Sequence, residues 1–401
     1  MNFATAVLLT MDGLPARSGI AMSLVSDPDI SLVDNSDLTI TIISPISEKG
    51  VKYFTDVLVS SDICNKSAYL KALLDESKDK TELTLGGDEK SKDDGDTKEG
   101  TLIWLAHLHD LTQQRMQVLG LFNIPLMGVW YAIMLWYAHQ DGKIKDSLGE
   151  WFNTWYDTNV AKVELTVPMA QALAYPCYTF DHAIGYARVT KYLAYEHIGH
   201  IKERQPKGFK GPKYLRINER MFVSPLNHAR GGLRTTLFKS LYSRVGRILR
   251  TESTLCSCWD ATIGRYQLAL IKCDAWSIED VLHYSSIAQV VRRLKAFQYN
   301  YTPNCTRCRG IDWETIVLKA QSNTLGYFNG MCLDCMDRSK PRGDDSDEEY
   351  EKHNQPVGGR WDTQCRIKHG QPTWYVSWQG RPDIREKILR GPDGYPTPEE
   401  E

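Results

Sequence analysis

Apolar and polar positions alternate over Leu38, Ile40 and Ile42 with Thr39 and Thr41 between them, the period of two that marks a half-buried strand, and Ser44-Pro45 closes it. Tyr53, Val57 and Val59 predict a second strand. Ser60-Ser61-Asp62 then offers caps, and Ile63, Tyr69, Leu70, Leu73 and Leu74 recur at helical spacing. Thr81 to Leu85 fits a third strand. Gly86 to Gly100 is almost wholly Gly, Asp, Glu, Lys, Ser and Thr, too polar to bury anything, and is expected as a solvated loop. Leu102, Ile103, Leu105, Ala106 and Leu108 resume the helical period. Residues 1–33 show no sustained period and read as a loosely held extension.

The stretch Val118 to Ala138 runs 21 residues with Asn123 as its only strongly polar member. Two readings compete for it, a membrane span and a buried core helix. Pro125 and Gly128 near its start, and the aromatic and polar continuation through His139 to Trp151, favour the core helix. From Leu148 to Leu249 the pattern is helical nearly throughout, with Leu233, Leu237, Leu241, Val245 and Ile248 as one apolar stripe. A further helix is expected from about Ile278 to Phe297. Asp312 is placed to cap another whose apolar face is Trp313, Ile316, Val317 and Ala320, with Gly326 and Gly330 ending it. Trp374, Val376 and Trp378 alternate as a short strand, and the chain ends in a Pro, Gly and Glu tail.

Composition changes the picture in two places. The chain is 42% hydrophobic with a net charge of −2, so it can bury a core and projects no global field toward nucleic acid or membrane. Residues 201–250 nevertheless hold 13 Lys and Arg against two Glu. Arg230, Arg234, Arg244 and Arg247 lie on the polar side of the apolar stripe, where they form either ordinary solvated surface or a partner-binding face. The ten cysteines are too sparse for a disulfide scaffold, and four of them sit in two tight pairs, which suits metal chemistry in a reducing compartment: cytoplasm or nucleus. The apolar run from Phe3 to Leu9 has no basic residue before it and no clean cleavage site after it, so no secretory signal is expected.

Cys305-x2-Cys308 is followed, after 23 residues, by Cys332-x2-Cys335. Each Cys-x2-Cys turn lets two thiolates face one ion, so these four residues are the expected zinc ligands. Four sulfurs close the coordination sphere; such a site stabilises and does not catalyse. His353, Cys365 and His369 form a possible second set. Cys256-x-Cys258 is a weaker signal, and Cys64, Cys177 and Cys273 read as ordinary buried thiols. Phosphate loops, a nucleophile elbow and His-Glu metal helices are missing, and His107-x-His109 and His197-x2-His200 lack acidic partners at useful spacing. No catalytic residue and no small-molecule substrate are predicted.

Asp37-Leu38-Thr39-Ile40, Phe54 to Ile63, Ser67-Ala68-Tyr69-Leu70 and the Trp104 to His109 segment ending in Leu-His resemble the progression of fungal BTB/POZ-like proteins. Trp151 to Trp155, Tyr175 to Tyr178, Asn227 to Arg230 and Cys256-Ser257-Cys258 are similar to the helical region that follows in that group. Gly330 to Asp337 and Trp361 to Trp378 look like its C-terminal cysteine module. The chain departs from the family in Ala68 and Leu70, where Pro and Phe are common, and in its long charged loop. The expected fold is therefore α+β: an extension over 1–33, a BTB/POZ-like domain over 34–145 with a charged loop over 76–100, a helical domain over 146–300, a zinc-stabilised module over 301–385 and a tail over 386–401. The resemblance implies a non-catalytic adaptor that self-associates or docks on a cullin-type ubiquitin-ligase scaffold. A hydrophobic edge at Tyr69, Leu70 and Leu73 would supply the contacts, and the charge balance predicts no membrane partner. The alternative is a zinc-containing nucleic-acid-associated regulator using the basic region 201–250.

Overall fold

A computed structural model describes residues 23–26, 29–43, 51–86, 98–139, 143–217, 222–252, 256–338 and 365–368. The chain is mixed α+β and mostly helical, and it divides into two compact units. The first comprises residues 1–164, 179–182 and 205–216; the second comprises 165–178, 183–204 and 217–401. The predicted strand at 374–378 and the C-terminal tail lie outside the described residues.

Unit one is organised by a small sheet of β1 (Ser23–Ser26), β2 (Ile30–Ser31), β3 (Leu38–Ile43), β4 (Val51–Val59) and β5 (Glu82–Gly86). β3 runs antiparallel to β4 and parallel to β5, while β1 and β2 follow one another along the far side of β4, both parallel to it. The sheet is thus four strands wide. The expected alternation holds: Leu38, Ile40 and Ile42 are buried, and register sets them beside Val59, Val57 and Thr55 on β4, with Ile40 and Ile42 also beside Leu83 and Leu85 on β5. Pairing at period two puts all of these on one face. The extension expected over 1–33 needs correction, because 23–26 and 30–31 are strands of this sheet.

Helices α1 (Ser61–Cys64) and α2 (Ala68–Glu76) follow, and Ser67 caps α2 by accepting from the Leu70 N–H at 3.4 Å. Next come α3 (Lys98–Leu108), α4 (Gln113–Val118), α5 (Leu126–His139) and α6 (Ile144–Asn159). The 21-residue apolar run is broken: α4 ends at Val118, Gly120 turns the chain at φ +71°, and α5 begins only after Pro125. Its 14 residues span about 21 Å, short of a ~30 Å bilayer core. Among the described residues no helix is long and apolar enough to cross a membrane. α5 packs instead on α3, where a Cβ on Gly100 would sit 2.7 Å from Tyr131 Cβ, so only glycine permits that approach. α6 then closes the loop before α5: the indole N–H groups of Trp151 and Trp155 donate to the carbonyls of Leu121 (3.1 Å) and Ile124 (2.8 Å), and Asn159 donates to Phe122 (2.7 Å). Three carbonyls that a buried loop would leave unpaired are thereby satisfied.

Unit two contains α7 (Val167–Thr179, whose last residue belongs to unit one), α8 (Ala183–Glu196), α9 (Val223–Arg247), a π-helical turn at Ile248–Glu252, α10 (Trp259–Lys272), α11 (Ile278–Tyr284), α12 (Ile287–Arg293), a 3-10 turn at Leu294–Ala296, α13 (Thr306–Arg309), α14 (Trp313–Tyr327) and α15 (Leu333–Arg338). The stripe Leu233, Leu237, Leu241, Val245 and Ile248 is buried as expected. α14 lies along α9, and Gly232 makes room for the Tyr327 ring, with which a Cβ would collide. The Tyr195 hydroxyl donates to Thr324 O (2.7 Å) and accepts from the Phe328 N–H (3.3 Å), fixing the end of α14 against α8. The single helix expected over 278–297 is interrupted at Ser285-Ser286, where Ser286 and Gln289 form a capping box that starts α12.

Candidate metal centre

Two short segments of unit two converge. Cys256 and Cys258 stand just before α10, Cys258 being its N-cap residue. Cys305 is the N-cap of α13, and its Sγ accepts from the Cys308 N–H at 3.3 Å, the geometry by which an x2 spacing turns both sulfurs to one side. The Sγ atoms of Cys256 and Cys308 are 3.4 Å apart, those of Cys258 and Cys305 3.2 Å, and those of Cys256 and Cys258 3.8 Å. All four lie within 4.8 Å of one another. These separations are far beyond a ~2.05 Å disulfide bond. They are close to the ~3.8 Å edge of a tetrahedron whose sulfurs sit ~2.3 Å from a central ion. The donor set therefore fits a metal ion held by four thiolates.

The surroundings hold this arrangement rigidly. Thr262, on the first turn of α10, donates to Cys258 O at 2.8 Å, and the Tyr299 hydroxyl donates to Thr262 O at 3.2 Å. Tyr266 stacks on Trp313 with centroids 4.2 Å apart, and Tyr299 leans on the same indole, so an aromatic wall ties α10 to the start of α14. Asp312 caps α14 as its sequence predicts, accepting from the Thr315 N–H at 2.8 Å. Arg309 donates to the carbonyls of Pro303 and Asn304, which pins the loop that delivers Cys305. Without metal, the Cys308 N–H, followed by the Cys258 thiol, draws the Cys305 pKa down to about 6, whereas burial pushes the Cys308 thiol up.

This grouping corrects the expected one. Cys305 and Cys308 meet Cys256 and Cys258, while Cys332, expected beside them, lies in another group. Cys332 is fully buried in a different cluster with Asp334 and Cys365. Cys335 lies on α15 but its side chain, like His353 and His369, is outside the described residues. The x2 spacing identifies a ligand pair without identifying what it faces, and the weaker Cys256-x-Cys258 signal supplies the partner because α10 and α14 pack through their aromatic residues. Cys64, Cys177 and Cys273 are buried; burial raises the first thiol to about 12 and raises the other two as well, so all three are inert.

The expected contact residues divide similarly. Leu70 is buried completely and is part of the unit-one core, which removes it from any surface; Tyr69 and Leu73 are half-buried, with Tyr69 stacked on His139 at 3.7 Å. Arg230 is half-buried and donates to the carbonyls of Gly199 and His197, its pKa lowered to about 10 by burial and by Arg234. Arg234 pairs with Glu279. Both arginines border a cavity of about 310 Å³ shared with His200, Asn227 and His283. Arg244 is half-buried and Arg247 exposed on the last turns of α9. Of the histidines weighed for catalysis, His109 is buried, with Nδ1 on Leu105 O (2.8 Å) and Nε2 accepting from the Ser60 N–H (3.1 Å), a structural arrangement.

Compared with known proteins, the chain matches no family model, no curated protein and no solved structure.

Proposed function

We propose that this chain is a non-catalytic protein-interaction adaptor whose second unit is organised around a structural zinc ion held by Cys256, Cys258, Cys305 and Cys308. The observation that carries the reading is the set of four sulfurs all within 4.8 Å of one another, three of the pairs 3.2–3.8 Å apart. A tetrahedral ion bound there has no position left for substrate or activated water, and soft thiolates select zinc over magnesium or calcium. Bound zinc would supply a cross-link between the start of α10 and the loop before α14, nothing more.

Unit one is read as the associating part. Its succession of β3, β4, α1, α2, β5 and α3 follows the order of segments on which the BTB/POZ-like resemblance rests, and that supports self-association or docking to a cullin-type scaffold. Tyr69 and Leu73 are the contact residues that remain once Leu70 is placed in the core. The nucleic-acid alternative is weakened because Arg230 and Arg234 are already committed to carbonyls and to Glu279.

The test combines two measurements on the purified full chain. Elemental analysis is expected to find zinc that disappears with Cys305→Ser, and sedimentation is expected to show either a homodimer or a complex with a cullin-type scaffold that Leu73→Asp weakens. A monomer that binds no scaffold, but is retained on duplex DNA in a salt-dependent way through Arg244 and Arg247, would replace this reading with the alternative.

A further inference from the structure

Away from the four-sulfur centre, the cavity of about 310 Å³ in unit two has two arginines and two histidines in its wall, and none of its described lining residues is acidic. Asn227, Arg230, Gly231 and Arg234 recur at spacings of three and four, so they share one face of α9, beside its buried stripe. Gly199 and His200 come from the chain after α8, and Leu282, His283 and Ile287 from the corner between α11 and α12.

Two features of this wall point to a ligand. The first is a charge without a counter-charge. Arg230 spends its terminal nitrogens on the carbonyls of Gly199 and His197, and its Nε is buried with no hydrogen-bond partner among the described residues. The nearby carboxylates are taken: Glu279 pairs with Arg234, Glu196 with Arg292 at 2.7 Å, and Asp280 accepts from Ser277 Oγ at 2.6 Å. A guanidinium desolvated on these terms gains from any anion that reaches it. The second feature is a glycine that packing does not require. A Cβ on Gly231 would meet nothing within 4 Å, whereas Gly232 beside it makes room for Tyr327. Glycine inside a helix is unfavourable relative to alanine, so residue 231 holds open a space that no neighbour fills.

We propose that this cavity binds the phosphate monoester of a small molecule, with Arg230, Arg234, His200 and His283 donating to the phosphate and Leu282 and Ile287 against the organic group. A phosphate dianion suits two guanidinium groups, and its tetrahedral oxygens accept from several directions, where a planar carboxylate engages one arginine. Ligand pockets run from about 300 to 1,000 Å³, and this one, at the small end, admits one head group and not a nucleic-acid backbone. The site depends neither on zinc nor on the adaptor reading of unit one.

Isothermal titration of the purified full chain with inorganic phosphate, phenyl phosphate and benzoate, at matched ionic strength in chloride, tests this. One saturable site per chain is expected, with phenyl phosphate bound about fivefold or more tighter than phosphate because of the apolar contact. Gly231→Leu, which fills the space with a good helix former, is expected to keep the melting temperature and weaken phenyl phosphate at least about tenfold. Glu279→Gln, which releases Arg234, is expected to tighten it about threefold, a gain that damage to the fold does not give. A wild-type chain without a saturable phosphate site overturns the proposal whatever the variants do. Binding that Gly231→Leu and Glu279→Gln both leave unchanged overturns it by placing the anion elsewhere. Several weak phosphates lost together at moderate salt mark diffuse surface charge and overturn it too. Benzoate bound as tightly as phenyl phosphate overturns the phosphate assignment.

Discussion

Removing the metal from the Cys256, Cys258, Cys305 and Cys308 centre should cost unit two a calculable part of its stability. The cross-link joins residues 47 and 52 positions apart in the chain. In the chain-entropy treatment of a cross-link, a closed loop of about 50 residues restricts the unfolded state by about 4 kcal/mol at 25 °C. For a unit of roughly 200 residues, each kcal/mol moves the melting temperature by about 2–4 °C, so complete removal should lower it by about 8–16 °C. The loss should begin locally. α13 is only four residues long, and Cys308 is its only buried residue, so without the ion it has little to hold it. Differential scanning calorimetry of holo and chelated protein, with the metal content of each sample measured, reads the global shift. Amide exchange should show residues 299–311 losing protection before α9 and α14 do. Verified removal of all metal with a shift below about 2 °C would refute the cross-link argument, since a loop of that length cannot be released so cheaply.

Trp313→Ala empties a site that is 1% exposed and removes the stack on Tyr266, which should destabilise unit two by about 3–5 kcal/mol in urea titration and weaken zinc binding, because the wall behind the centre goes with it. His109 should make unit one acid-sensitive. Burial lowers its pKa below the usual 6.5, and its Nε2 must stay unprotonated to accept from Ser60, so its contribution is complete above the unfolded value and is lost as pH falls through the folded one. His109→Leu should flatten the pH dependence of unit-one melting below 6.5 while costing about 1–3 kcal/mol at neutral pH for the stranded Ser60 N–H. Gly330→Ala should be severe, about 2 kcal/mol or more by chemical denaturation, since residue 330 sits at φ +98° and a Cβ there would collide with the Ala187 carbonyl.

Features that depend on neighbours in sequence were legible before any coordinates. The Leu38, Ile40, Ile42 alternation, the Asp312 cap and the α9 stripe each follow from a period or a side chain next to a helix start. Features that depend on which elements meet were not. No spacing rule says that Cys305 faces Cys258, because that pairing is decided by Tyr266 and Trp313 packing 47 residues apart in the chain. Leu70 sits at the right helical phase for either a core or a contact face, and only its complete burial in the folded unit decides. One miss carried a readable local signal: Ser286 with Gln289 three residues on is a capping box inside the span expected as a single helix.

The margins of the unit-one sheet bear on how this protein can join others. One side ends in five residues that begin with exposed Glu82, and the opposite side is filled by two fragments of four and two residues. Interrupted, short and charged borders make poor templates for an incoming strand. Growth by backbone pairing, the route by which sheets merge or form fibrils, is thereby discouraged along both of these described edges.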